Sequence, residues 1–210
     1  DIVNSTRVTV RNCFIHSFDD SVVLKGIDRY DEDDCEDILV ENCVIWCDWG
    51  RSLEIGAETN APEFRNILFR SCDLIHGSTV YMDIQHHNRA DIHHIVFEDI
   101  RCEYTKYQLP DTLQTDMTAP FAPAIPVRHP FLLAAPIFNM GLFAKDGLHG
   151  CIHDITFRNI QILTDSDGLP KPAVWFVGLD GEHAVKGITV DGVFRDGKRL
   201  AKDEMDWQSN

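Results

Sequence analysis

The chain has 210 residues, with 19 lysines and arginines against 34 aspartates and glutamates and a formal charge of −15. That length suffices for one domain with a sizeable core, and the acidity speaks against nucleic acid and anionic membrane surfaces, which both need a basic face. No segment is long and apolar enough to span a membrane.

In chain order, Asp1-Ile2-Val3-Asn4-Ser5 runs without a polar cap into Val8-Thr9-Val10-Arg11-Asn12-Cys13. This segment is the first of six copies of one pattern. The others are Ile38 to Cys43, Ile67 to Cys72, Ile95 to Ile100, Ile155 to Ile160 and Ile188 to Val193. Each copy alternates apolar and polar residues, is rich in β-branched side chains, and has Asn, Asp, Ser or Gly next to last. The first three steps are about thirty residues long, a solenoid period. No amphipathic helix lies between copies, so the repeat predicts an all-β, right-handed parallel β-helix of about six to seven coils. The uncapped start leads us to expect further coils upstream. No signal-peptide pattern is present, which carries no weight for a chain that opens in mid-repeat.

A second set of short strands follows the first: Val22 to Lys25, Leu53 to Ile55, Val80 to Ile84, Ile137 to Met140 and Val174 to Val177. Stacked, these should form a long sheet whose outer side lines a groove, a shape suited to an extended polymer. Two insertions break the period within the single domain 1–210. Residues 26–37 are acidic, which suggests calcium but fits no spaced calcium-loop motif and reads better as a solvated insertion. Residues 104–135 form a proline-rich excursion, of the kind that shapes binding sites or packs along the scaffold.

Cys13, Cys43 and Cys72 occupy equivalent positions and should stack about 4.8 Å apart as core packing. No C-x-x-C spacing points to a metal. His86, His87, His93 and His94, with Asp91, invite a zinc reading, but adjacent histidines on a strand face opposite ways, so polar groove or turn residues fit better. We expect no metal and no cofactor.

The sharpest chemical signal is Asp19-Asp20, placed at the bend before Val22-Val23-Leu24-Lys25. Two close carboxyl groups with split pKa values can divide acid and base roles, although an Asp-Asp in a turn is more often turn chemistry. This Asp-Asp turn, the Val-x-Leu-Lys strand after it, and the Asn-Cys-x-Ile strand end before it together resemble the family-28 glycoside hydrolases, the polygalacturonases and rhamnogalacturonan hydrolases. The resemblance implies an inverting hydrolysis with carboxyl groups about 6.5–9.5 Å apart. Asp19 would protonate the leaving oxygen. Asp20 would activate water together with an aspartate upstream of Asp1, since Asp1 to Ser5 looks like the end of the family's Asn-Thr-Asp-Gly-x-Asp stretch. It also implies an extracellular or periplasmic location.

Gly50-Arg51-Ser52-Leu53-Glu54-Ile55-Gly56 stands where the family has Gly-His-Gly-Leu-Ser-Ile-Gly, and Tyr81-Met82-Asp83 replaces the Arg-Ile-Lys that binds the acidic sugar. Two cations lost and a carboxylate gained argue against a uronate and for a neutral polysaccharide or oligosaccharide. Lys25, Trp49, Arg51, Glu54, Tyr81, Asp83 and His86 are the expected substrate-binding residues. Trp49 or Tyr81 would supply a stacking platform, and His86 a hydrogen bond to sugar. A lyase, transglycosylase or epimerase on the same coil, or a glycan-binding solenoid without catalysis, remain the alternatives. The oligomeric state is not legible.

Overall fold

The structure, a computed structural model, describes residues 1–105, 131–139, 143 and 146–210. Its strands stack as a parallel β-solenoid of about six turns. One sheet has seven strands, in the order Ile2–Val3, Val22–Gly26, Arg51–Thr59, Val80–His86, Phe131–Ala134, Ala173–Phe176 and Asp206–Ser209. Every pairing along it is parallel, with Met82 beside both Leu53 and Leu133.

The second sheet carries the sequence repeats and makes up the rest of each coil. Val10, Val40, Phe69, Phe97, Phe157 and Val190 pair in unbroken register. Their side chains fill the interior. Phe69 and Phe97 stack with ring centres 4.6 Å apart, Phe97 and Phe157 at 5.0 Å, and all three are fully buried.

The penultimate residue of each repeat has a specific task. Asn12, Asn42, Ser71, Asp99 and Asn159 take positive φ values of 51–56°, and Gly192 takes 86°. Asn and Asp tolerate this left-handed geometry better than most residues, because their short polar side chains bond locally. At this bend the coil passes into a third strand, as in Phe14–Ser17, Val44–Cys47, Asp73–His76 and Arg101–Tyr104. A second ladder of positive φ, at Arg7, Asp37, Asn66, His94, Asp154 and Gly187, bends the coil earlier.

The Cys13, Cys43, Cys72 column is packing: Cys43 and Cys72 are buried, Cys13 is exposed, and all seven cysteines are free. The fourth coil departs from expectation. Its strand is Phe131–Ala134, inside the stretch read as excursion, whereas Ile137 makes only an isolated bridge to His86. Phe131 to Ala134 is an apolar run lying between prolines, and each of its residues keeps the backbone N–H that a ladder strand uses and that Pro136 lacks. The rest of the excursion, residues 106–130, lies outside the described residues.

The acidic insertion is tied down by protein groups. Asn4 Nδ2 donates to the carbonyls of Tyr30 and Asp33 at 2.8 and 2.9 Å, and Arg89 donates to the Asp31 carbonyl at 2.6 Å. Asp34 accepts from the Glu63 N–H at 3.1 Å. Among the described residues, no group of three or more His, Cys, Asp or Glu side chains could hold a metal ion.

Candidate active site

Asp19 and Asp20 occupy the bend between Phe14–Ser17 and Val22–Gly26, where the chain passes from one sheet to the other. The turn is held by its own polar groups. Ser17 Oγ donates to the Asp19 carbonyl at 2.6 Å, and the Asp20 N–H donates to Asp19 Oδ1 at 2.8 Å. The two side chains then diverge: Asp19 is exposed, while Asp20 is only 16% exposed. Asp20 Oδ1 accepts the backbone N–H of Arg51 in the next coil at 2.8 Å. Gly50 allows that approach, with φ +97° and room for no side chain, since a Cβ would fall 2.5 Å from Asp20 Oδ1.

Arg51 starts the strand of the second coil and turns its guanidinium onto three carboxyl groups. It lies 3.8 Å from Asp20, 3.8 Å from Glu54 and 3.4 Å from Asp83. Glu54 and Asp83 are direct partners on adjacent strands, stacked one coil apart. They are 1% and 3% exposed, and both oxygens of Glu54 and Oδ1 of Asp83 lack a hydrogen-bond donor.

One guanidinium cannot balance three buried carboxylates. Burial pushes Glu54 well above the usual carboxyl range, and the charges of Asp83 and Asp20 push it further. Burial raises Asp83 to about 7, opposed by Arg51 and assisted by Asp20. The site therefore holds a proton at neutral pH. Burial works against the charge of Arg51, but its three carboxyl neighbours more than offset this and raise it.

The remaining expected residues divide. Lys25 lies on the same sheet and pairs with Glu58 at 3.1 Å. Trp49 is half-buried and stacks on Phe18 with ring centres 6.4 Å apart and planes 25° from parallel. Phe18 is 75% exposed and adjoins Asp19, so the pair presents an aromatic surface beside the carboxyl turn. Sequence reasoning missed Phe18. Its signal was a large apolar residue next to two aspartates in a bend, where the solenoid core has no use for it.

Tyr81 is corrected. It is fully buried, stacks on Tyr104 at 5.6 Å and donates its hydroxyl to the Glu103 carbonyl, so its ring is core and no platform for a sugar. His86 is corrected as well. It is fully buried, with Nδ1 2.8 Å from Thr59 Oγ1. Burial, aided by His87, depresses it to about 3, leaving a neutral ring sealed from any glycan. Both residues lie on a strand that is buried almost throughout, so alternation gave no warning of which faces inward.

The fold and this cluster define a parallel β-helix with a buried carboxyl–guanidinium centre behind an exposed acidic turn. Set against known proteins, no family model, no curated protein and no solved structure matches the chain.

Proposed function

We propose that this chain is a glycoside hydrolase that cleaves a neutral polysaccharide or oligosaccharide by an inverting, carboxylate-assisted mechanism. One observation carries the reading: Asp20, Glu54 and Asp83 converge on Arg51, and the exposed Asp19 and the stacked Phe18–Trp49 pair belong to the same two bends as Asp20 and Arg51. Carboxyl groups in unlike environments are what acid and base roles need, and an aromatic surface at their rim suits the apolar face of a sugar ring. In this reading exposed Asp19 gives its proton to the leaving oxygen, and Asp20 accepts a proton from the attacking water. Lys25 and Arg51 are engaged with carboxylates, which supports a neutral substrate over a uronate. A polymer substrate of this kind places the protein outside the cytoplasm, as part of the same proposal.

The test is a panel of neutral polysaccharides (arabinan, galactan, xylan, mannan and β-glucans), scored for reducing ends and for the anomer first released. Asp19→Asn should lower the rate by about 100-fold or more, with an unchanged melting temperature. A fully active variant refutes the role. Glycan binding without turnover selects the non-catalytic reading, which is favoured by Asp20 committing Oδ1 to the Arg51 N–H of the next coil. An ultraviolet-absorbing unsaturated product selects a lyase.

A further inference from the structure

Across the seven-stranded sheet from the carboxyl centre lies a cavity of about 450 Å³ that the hydrolase reading leaves unused. Gly26, Asp28, Arg29, Glu58, Asn88 and Phe143 line it, close to the ends of the strands Val22–Gly26, Arg51–Thr59 and Val80–His86. Lys25 and Glu54 each adjoin core residues, Leu24 on one strand and Leu53 and Ile55 on the other, so both face the outer side of the sheet. Lys25 reaches Glu58 there at 3.1 Å. The cavity and the carboxyl centre therefore share one face. Arg51 and Glu58 sit near opposite ends of the nine-residue strand Arg51–Thr59, and at about 3.3 Å per residue roughly 20 Å separates them.

The cavity walls are fixed by the protein's own contacts. The Phe143 ring packs 4.9 Å from the ring of buried His87, and the Phe143 carbonyl accepts from Asn88 Nδ2 at 2.7 Å. Asn88 is held in turn by the Thr59 N–H, which donates to its Oδ1 at 2.9 Å. Asp28 accepts from Asn60 Nδ2 at 2.9 Å. Arg29 is exposed, pairs with no carboxylate among the described residues, and carries its guanidinium 5.4 Å from the centre of the Tyr30 ring. The carboxylates of Asp28 and Glu58 are matched by the cations of Arg29 and Lys25, so the cavity favours neither an anion nor a cation. Carboxylate oxygens that accept, guanidinium N–H groups that donate and an aromatic ring for an apolar face together complement a sugar ring. The volume falls in the range of small-ligand sites.

We propose that this cavity is a second sugar-binding site, which holds the far end of the glycan whose scissile bond lies at Asp19 and Asp20. The glycan then crosses the sheet along its strands, and must be an oligosaccharide or polymer long enough to span roughly 20 Å. The proposal rests on the hydrolase reading for the identity of the ligand, but the cavity is independent of it. Asp28 and Glu58 accept from sugar hydroxyls, Arg29 donates to sugar oxygens, and Phe143 meets the apolar face.

Hexasaccharides and disaccharides prepared from the five kinds of polymer on the panel are the probes, used with the full chain. In Arg29→Ala the KM for a hexasaccharide that the wild-type chain cleaves should rise about tenfold, the effect of losing one hydrogen bond from a charged donor, while kcat changes far less. The matching disaccharide, too short to reach from Asp19 to Arg29, should show a much smaller rise. Glu58→Gln, which keeps the shape of the side chain, should behave in the same way. A wild-type KM on the hexasaccharide in both variants overturns the inference. The activity-free arm is an amide NMR titration of the Asp19→Asn chain with the five hexasaccharides. Saturable shifts at Gly26, Arg29 and Asn88 together with Asp20 and Arg51 support a chain that spans both places. Shifts at Asp20 and Arg51 alone, or no shift from any of the five, overturn it. If the wild-type chain cleaves nothing on the panel, the hydrolase reading fails, while saturable shifts at the cavity still support the second site.

Discussion

Asp83→Asn tests the buried carboxyl cluster through stability. Asp83 ionises near 3.8 when exposed and near 7 in the folded chain. Between those values the folded chain holds a proton that the unfolded chain has released. Folding is therefore favoured most below the lower value, and this contribution is lost as pH rises through the window, levelling off above about 7. At ~1.36 kcal/mol per unit, the full window is worth about 4 kcal/mol against the native state. Asn is nearly isosteric and never ionises, so it removes the loss. The gain is smaller than the full figure, because Arg51 gives up one partner while Glu54, freed of a like charge, becomes the better one. A net stabilisation of roughly 1–3 kcal/mol at about pH 8 is expected, falling by ~2 kcal/mol at about pH 5.5 where much of the window is already closed. Urea denaturation at the two pH values measures it, and melting temperature should follow at about 2–4 °C per kcal/mol for a chain of this size. If Asp83→Asn is less stable than wild type by the same amount at both pH values, Asp83 is ionised and simply paired with Arg51, and the shared-proton account of the site fails.

Two further outcomes follow from the coil itself. Phe97→Ala removes the middle ring of the buried Phe69–Phe97–Phe157 stack; it should cost ~3–5 kcal/mol in denaturant unfolding, and a cost under about 1 kcal/mol would show that the interior collapses around the gap. Burial pushes the Cys72 thiol up to about 12 and the Cys35 and Cys47 thiols up to about 11. Iodoacetamide at neutral pH should therefore alkylate exposed Cys13 first, reaching Cys72 only on unfolding; equal rates at Cys13 and Cys72, read by peptide mass spectrometry, would contradict the packed column.

The coil was legible because its determinants are local and repeated. At the bend that closes each repeat, positive φ is met by Asn, Asp, Ser or Gly every time, at residues 12, 42, 71, 99, 159 and 192. The interior column of Val10, Val40, Phe69, Phe97, Phe157 and Val190 follows from strict alternation in strands that keep one face in solvent. The groove sheet obeys no such rule. In Val80–His86 nearly every residue is buried, on both faces, so period-two reading cannot tell Tyr81 from Asp83. The prolines around residues 130 and 136 drew Phe131 to Ala134 into the excursion and left Ile137 to Met140 as the expected fourth strand, and only register with Val80–His86 selects Phe131–Ala134.

The site divides along the same line. That Asp20, Arg51, Glu54 and Asp83 are ionisable residues near the ends of successive coils is visible in the sequence, because the period places them there. Their protonation is not, because it depends on burial produced by stacking three coils, a non-local quantity. Asp19 and Asp20 show the difference at closest range. They are identical residues, adjacent in one turn, yet one faces solvent and the other is bonded to Arg51 in the next coil. A carboxyl pair read from sequence therefore fixes where two carboxyl groups stand, and the coil stacked against it decides which member is tied down and which stays in solvent. Here that selection falls to the Gly50–Arg51 approach, since any side chain at Gly50 would meet Asp20 and push it from the Arg51 N–H.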